Sequence, residues 1–136
     1  MKYCMILAKI LIILMKYIFF TYAFIWQIVP KSANSLNEVL KLFYLDFLRV
    51  GIDNLKVIRI SNGELITRCR NPCPILWLSI RLGLDTRNVC KEISEPVCKY
   101  FLKKLNPNLV FERNYNYIRP YKESCEERIY LKNKFK

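Results

Sequence analysis

The sequence predicts an α+β domain: an antiparallel sheet of about four strands, covered on one face by helices and preceded by one apolar helix. Three observations carry this expectation. Asn62-Gly63 separates two short runs of strand-forming residues, the strongest short-range hairpin signal. Residues 70–105 change to apolar positions at three- and four-residue steps, as helices with one buried face require. Two alternating segments then close the chain, at 109–118 and 125–132.

The elements follow in order. Residues 3–30 are almost wholly apolar, with charges only at Lys9 and Lys16. A spanning helix needs about 20 such residues. Lysine near a bilayer centre costs roughly 3 kcal/mol, and each Leu, Ile or Phe returns about 0.3–0.6 kcal/mol. The apolar residues outweigh the two lysines, so the segment 1–31 is expected to be a membrane anchor, in contact with lipid through residues 3–30. Lys2, Lys9 and Lys16 recur every seven residues, so they share one helix face and can snorkel together. Two other readings stand beside this one. The helix can lie in the interface or be buried against a partner. It can also be a signal peptide cleaved near Ala33-Asn34-Ser35, although a lysine inside the apolar core is wrong for one.

Residues 32–136 form the expected α+β domain. Ser35 and Glu38 match a capping box, opening a helix to about residue 49. Leu36, Val39, Leu40, Phe43, Phe47 and Leu48 give it a broad apolar face, and Gly51 is its expected end. The hairpin Leu55–Ser61 and Glu64–Cys69 follows. Pro74 suits the first position of the next helix, because its missing N–H has no acceptor there, which makes Cys73 the N-cap. Gly83 can take the left-handed conformation that ends this helix. Asp85 then caps a second helix of about 20 residues, kinked by Pro96 and stopped by Asn106-Pro107. The tail at 132–136 is basic and expected to fray.

Composition narrows the function. The formal charge is +12, and all 11 acidic residues lie after residue 37. Beyond residue 31, 19 basic against 11 acidic residues leave +8. Such a surface favours nucleic acid, anionic lipid or an acidic protein. There is no histidine, which removes Ser-His-Asp and Cys-His catalysis and histidine metal ligands. With three glycines there is no phosphate-cradling loop. Enzymatic activity is therefore not the favoured reading, and no cofactor is specified. Cys4 lies in the apolar segment, leaving five cysteines in the domain. An odd number argues against an extracellular disulfide framework and for reduced thiols facing the cytoplasm.

Three constellations carry chemistry. Cys73, Cys90 and Cys125 are the candidate ligand-binding residues, in a pocket between the helical pair and the sheet. A thiol at a helix N-terminus, as at Cys73, has its thiolate favoured by the free N–H groups. Cys69, Cys73, Cys90 and Cys125 are the alternative metal set, although Cys69-x3-Cys73 is not a standard zinc spacing. Second, the pair at 74–93 is similar to a DNA-binding helix-turn-helix, presenting Thr86, Arg87, Asn88 and Lys91 to a groove. Glu92 and Glu95 would then approach phosphates. Third, Arg113, Tyr115, Tyr117, Arg119 and Tyr121 alternate, as cross-strand pairs on a half-exposed sheet do.

Several short motifs also resemble one family. Asn71-Pro-Cys-Pro-Ile, Leu82-Gly-Leu-Asp-Thr-Arg, Val89-Cys90, Glu95-Pro96, Asn106-Pro-Asn-Leu and Cys125-Glu-Glu look like the methanogen output domain, an archaeal module often fused behind regulators or sensors. The likeness covers roughly residues 36–132. It implies an α+β output or ligand-binding domain that can form homodimers, with no established enzyme activity, and Cys73, Cys90 and Cys125 match its cysteine positions. An apolar segment stands where such a regulator would carry its DNA-binding domain. The expected whole is a single-pass, membrane-anchored sensory, ligand-binding or interaction domain on the cytoplasmic side.

Overall fold

The computed structural model describes residues 2–132. It has the expected α+β architecture. Four strands pair antiparallel throughout in the order β1-β2-β4-β3: β1 (Leu55–Ser61), β2 (Glu64–Cys69), β3 (Leu109–Arg113) and β4 (Cys125–Leu131). One face carries the core. Leu65, Thr67 and Cys69 of β2, Leu109, Phe111 and Arg113 of β3, and Glu127, Ile129 and Leu131 of β4 point the same way, as the two-residue period requires. The outer strand β1 buries nothing and exposes Val57, Ile58 and Ile60. A bulge between Val57 and Arg59, together with Lys56 and Arg59, blunts this open edge.

The helices cover the core face. The long leading helix α1 spans Lys2–Trp26. α2 (Leu36–Val39) runs on into a π-helical stretch, Leu40–Phe47. Three further helices follow: α3 (Pro74–Arg81), α4 (Thr86–Glu92) and α5 (Ser94–Leu105). Local chemistry sets their ends. Glu38 N–H donates to Ser35 Oγ (3.2 Å), and the Glu38 carboxylate reaches back to accept from Asn34 N–H (2.6 Å), one residue before the N-cap, a variant of the expected capping box. Leu76 N–H donates to Cys73 Sγ (3.4 Å). Gly83 takes φ +64, and Arg87 N–H donates to Asp85 Oδ1 (3.0 Å).

Four expectations are corrected. The helix beginning at Asp85 is two helices, broken at Ile93 (φ −110, ψ −67) rather than kinked at Pro96. Pro96 falls in the first turn of α5, where its missing N–H has no helical acceptor to lose. Fully buried Ile93 holds the corner in the core. Next, Arg49, not Gly51, ends the 36–47 helix by adopting φ +53. The strand expected at 109–118 stops at Arg113. There the Asn114 side chain accepts from Asn116 N–H (3.0 Å) and its carbonyl from Tyr117 N–H (3.0 Å), turning the backbone out of the ladder. Tyr115, Tyr117, Arg119 and Tyr121 therefore lie in a loop, not on a sheet face, while Arg113 is buried. Tyr115, for example, donates its hydroxyl to Glu95 at the start of α5. The basic tail lies, beyond Lys132, outside the described residues.

α1 is long and apolar enough to cross a membrane. Its 25 residues reach about 37 Å, against a hydrocarbon core of about 30 Å. One stripe of it packs on the domain. Ile12, Met15, Phe19, Phe20, Tyr22, Ala23 and Trp26 recur at helical steps and meet the core. Phe47 stacks between Tyr22 (centroids 5.0 Å) and Phe101 (3.9 Å), and Trp26 meets Phe101 edge-on (5.2 Å). The Tyr22 hydroxyl donates to the Phe47 carbonyl (2.7 Å), satisfying one of the acceptors left free where the π-helix ends. The opposite flank of α1 exposes Ile6, Ile10, Ile13, Leu14, Ile18 and Ile25.

Candidate functional site

A cavity of about 370 Å³ lies between α1 and the domain. Its walls come from distant parts of the chain: Met15, Ile18, Phe19 and Tyr22 of α1, the Asn71-Pro72-Cys73-Pro74 turn, Cys90 of α4, and the edge of the sheet at Arg113, Cys125 and Glu127. Cys73, Cys90 and Cys125, about 50 residues apart from first to last, all reach this one wall. Cys69 does not line it. Its thiol is buried beside Asn71 Oδ1, 4.0 Å away.

The cavity has a charged floor. Arg113 Nη2 donates to Glu127 Oε1 (2.6 Å), with side-chain exposures of only 6% and 2%. Arg113 and Glu127 face each other across β3 and β4, and Thr67 completes the row on β2. Arg113 Nη1 also donates to Ser94 Oγ (2.9 Å), and Thr67 donates to the Tyr44 hydroxyl (2.7 Å). Burial by itself would lower the Arg113 pKa, but the Glu127 carboxylate more than reverses that, so the guanidinium stays charged. Burial, aided by nearby Glu127, pushes the Tyr44 phenol well above its ordinary value. Arg113 Nε and Glu127 Oε2 have no hydrogen-bond partner among the described residues. Native interiors rarely leave such atoms unserved.

A second guanidinium braces the opposite wall. Arg119 donates to the Asn71 carbonyl (3.1 Å), to Asn71 Oδ1 (3.0 Å) and to Cys125 Sγ (3.4 Å). It thereby ties the turn before α3 to the start of β4 and fixes where Cys73 and Cys125 stand.

Cys69, Cys73, Cys90 and Cys98 are not activated. Burial raises the Cys73 pKa, and the Leu76 N–H offsets only part of that. Burial likewise pushes Cys90 up to about 11 and Cys98 up to about 12, and raises Cys69 further. At Cys73 desolvation therefore outweighs the pull of the helix N-terminus on the thiolate. The four-thiolate metal set is not formed either: among the described residues, no three His, Cys, Asp or Glu side chains gather as an ion would need. Cys98 is fully buried beside Ser94 (3.9 Å).

Comparison with family models, with curated proteins and with solved structures finds no match for this chain. The site must be read from its own residues.

Of the candidate nucleic-acid residues, Arg87, Asn88 and Lys91 are exposed on α4 and Thr86 is not. Thr86 is buried and donates to the Arg119 carbonyl (2.9 Å). Arg87 is clamped in two bonds by Asp85 (2.9 and 3.0 Å) and lies over the Tyr121 ring (4.6 Å). Lys91 lies over Tyr115 (4.7 Å), and Asn88 is exposed. α4 has seven residues, in place of the single helix of about 20 expected from Asp85.

Sequence reasoning missed the Arg113–Glu127 floor, although a signal was present. Leu109, Phe111 and position 113 share one face of β3, and position 127 shares one with Ile129 and Leu131. Each apolar face thus carries one charge, of opposite sign. Two such charges on adjacent core-facing strands point to a buried pair.

Proposed function

We propose that this chain is a membrane-anchored, non-enzymatic module that binds a small ligand in the cavity beneath α1, with its domain on the cytoplasmic side. One observation carries the reading. The cavity falls within the size range of small-molecule sites and joins a mostly apolar wall to a few convergent polar groups. The lack of histidine, the burial that raises the Cys73 and Cys90 pKa values and a carboxylate already held by arginine all favour binding over catalysis. The likeness to the methanogen output domain, a module that can form homodimers, points the same way.

For the anchor, the packed stripe of α1 matters. A helix cannot give one flank to a protein and be ringed by lipid along the same length. With the domain docked as described, α1 lies in the membrane interface, its bare apolar flank toward lipid. A single-pass arrangement requires the stripe from Ile12 to Trp26 to leave the core. Two single-cysteine labels distinguish these arrangements in a background with every native cysteine replaced by serine or alanine. Lys2→Cys and Lys56→Cys, each probed with an impermeant maleimide on oriented vesicles, are expected to react from the same side. Reaction from opposite sides establishes a spanning helix. Recovery of full-length protein in the high-salt soluble fraction without detergent overturns the anchor altogether.

A further inference from the structure

We infer that the ligand is a single-chain amphiphile with an anionic head, and that Arg119 is the counter-ion of that head. This rests on the proposal that the cavity is a ligand site, and it adds the ligand's chemical class and the residue that selects it.

The sign of the head follows from the lining. Two guanidiniums, Arg113 and Arg119, stand against one carboxylate, Glu127, which leaves one positive charge in excess. Arg113 and Glu127 neutralise each other at 2.6 Å. Arg119 has no such partner. Its bonds go to the Asn71 carbonyl, Asn71 Oδ1 and Cys125 Sγ, and among the described residues no Asp or Glu pairs with it. A guanidinium has more N–H donors than those bonds use, so donors remain for a ligand. Arg119 lines the cavity and is only partly buried, whereas the Arg113 side chain is 6% exposed. The wall is mostly apolar and low in dielectric, so charge inside it is poorly screened. One anionic head brings the lining to neutrality. A neutral head leaves the excess standing, and a cation adds to it. α3 starts in the same wall, at Cys73-Pro74, and a helix start also favours negative charge.

The tail follows from the rest of the cavity. Met15, Ile18 and Phe19 of α1 and Ile75, Leu76 and Ile118 of the domain offer it only apolar surface. At about 30 Å³ for each water-sized group, 370 Å³ holds roughly twelve, the bulk of an eight-carbon chain with its head. Ile18 lines the cavity and is also exposed on the bare apolar flank of α1, so it marks the mouth. An amphiphile dissolved in the bilayer reaches this mouth without crossing water.

The test is equilibrium binding to the full chain in phosphatidylcholine nanodiscs, with protein-free nanodiscs correcting for partition. The radiolabelled probes are octanesulfonate, octyl methyl sulfone and octyltrimethylammonium, matched in size. The sulfonate is ionised at any working pH, and the sulfone keeps its shape without the charge. Octanesulfonate is expected to bind saturably at one per chain, at least tenfold tighter than either of the others. Unlabelled methanesulfonate, a head without a tail, is expected not to displace it. Arg119→Gln, with its fold checked by circular dichroism, is expected to weaken the sulfonate at least tenfold and the sulfone by less than threefold. Arg119→Lys is expected to recover most of that loss. Sulfone binding as tightly as sulfonate, or the ammonium binding best, overturns the anionic head. Displacement by methanesulfonate overturns the tail, and unchanged sulfonate binding in folded Arg119→Gln overturns Arg119 as the counter-ion. Each of these leaves the ligand site standing. Should Arg119→Gln fail to fold, the comparison of the three probes on the natural sequence still decides the class. If no probe binds above the protein-free discs, or if Met15→Trp, which fills the cavity from α1, binds all three unchanged, the ligand site itself falls.

Discussion

Glu127→Gln is the most informative perturbation of the fold. The substitution keeps the side chain's shape and one acceptor oxygen but removes its charge. Arg113, 6% exposed, then holds a guanidinium in the core with no counter-ion. Breaking a buried pair from one side typically costs about 3–5 kcal/mol, because the remaining charge is left uncompensated. At about 1.4 kcal/mol per tenfold, the folding equilibrium drops by roughly 10²–10³·⁵. That is a large share of the roughly 5–15 kcal/mol that holds a domain together. The double variant Arg113→Met/Glu127→Leu removes both charges and keeps similar volume. It is expected to return to within about 1 kcal/mol of the natural sequence, or to exceed it, since apolar replacements of buried pairs are often neutral or stabilising. Thermal and urea unfolding of the full chain in detergent, followed by circular dichroism, measures both variants. If Glu127→Gln costs under about 1 kcal/mol, the pair is hydrated and the cavity floor is not the dry, low-dielectric wall described above. If the double variant falls below the single, the pair is a net stabiliser.

Three further outcomes are expected. Phe101→Ala removes the ring stacked on Phe47 and edge-on to Trp26, and should cost about 3–5 kcal/mol in the same unfolding assay. The thiols predict an alkaline limit. Cys90 and Cys98 have folded pKa values of about 11 and about 12, above the unfolded value of about 8.5, so their contribution is full below pH 8.5 and lost as the pH climbs through 11 to 12. Melting temperature against pH should therefore decline above pH 9, and less steeply in Cys98→Ala. Asp85 works in the opposite direction. The Arg87 side chain and N–H hold its pKa down to about 2, so the cap's charge-dependent stability is present above pH 4 and lost as the pH falls through 2. Asp85→Asn keeps the cap and is expected to flatten the melting curve between pH 4 and 2.

The fold was legible wherever a rule is local. Asn62-Gly63 produced the hairpin, Ser35 and Glu38 the capping box, and Cys73-Pro74, Gly83 and Asp85 the ends of α3 and the start of α4. Each works through a bond to a residue a few positions away, so the chain displays it openly. Rules that depend on distant partners misled. Pro96 reads as a kink only if the helix is continuous, and Ile93, anchored in the core, broke it first. The alternation from Leu109 to Tyr117 reads as a strand only if β4 stays paired beyond Arg113, and Asn114 ended the pairing. Cys73 reads as a thiolate only if its helix end is wet.

The sequence by itself determined that this is an α+β chain with a long apolar leading helix and no histidine, because composition and short-range spacing carry those facts. Tertiary structure decided that Cys73, Cys90 and Cys125 share one wall, that Arg113 and Glu127 form a charged floor beneath it, and that one flank of α1 closes over them. Residues 15, 73, 113 and 127 meet only once four strands have registered and the helices have folded across them. No local pattern encodes that encounter, because it exists only as the sum of long-range packing.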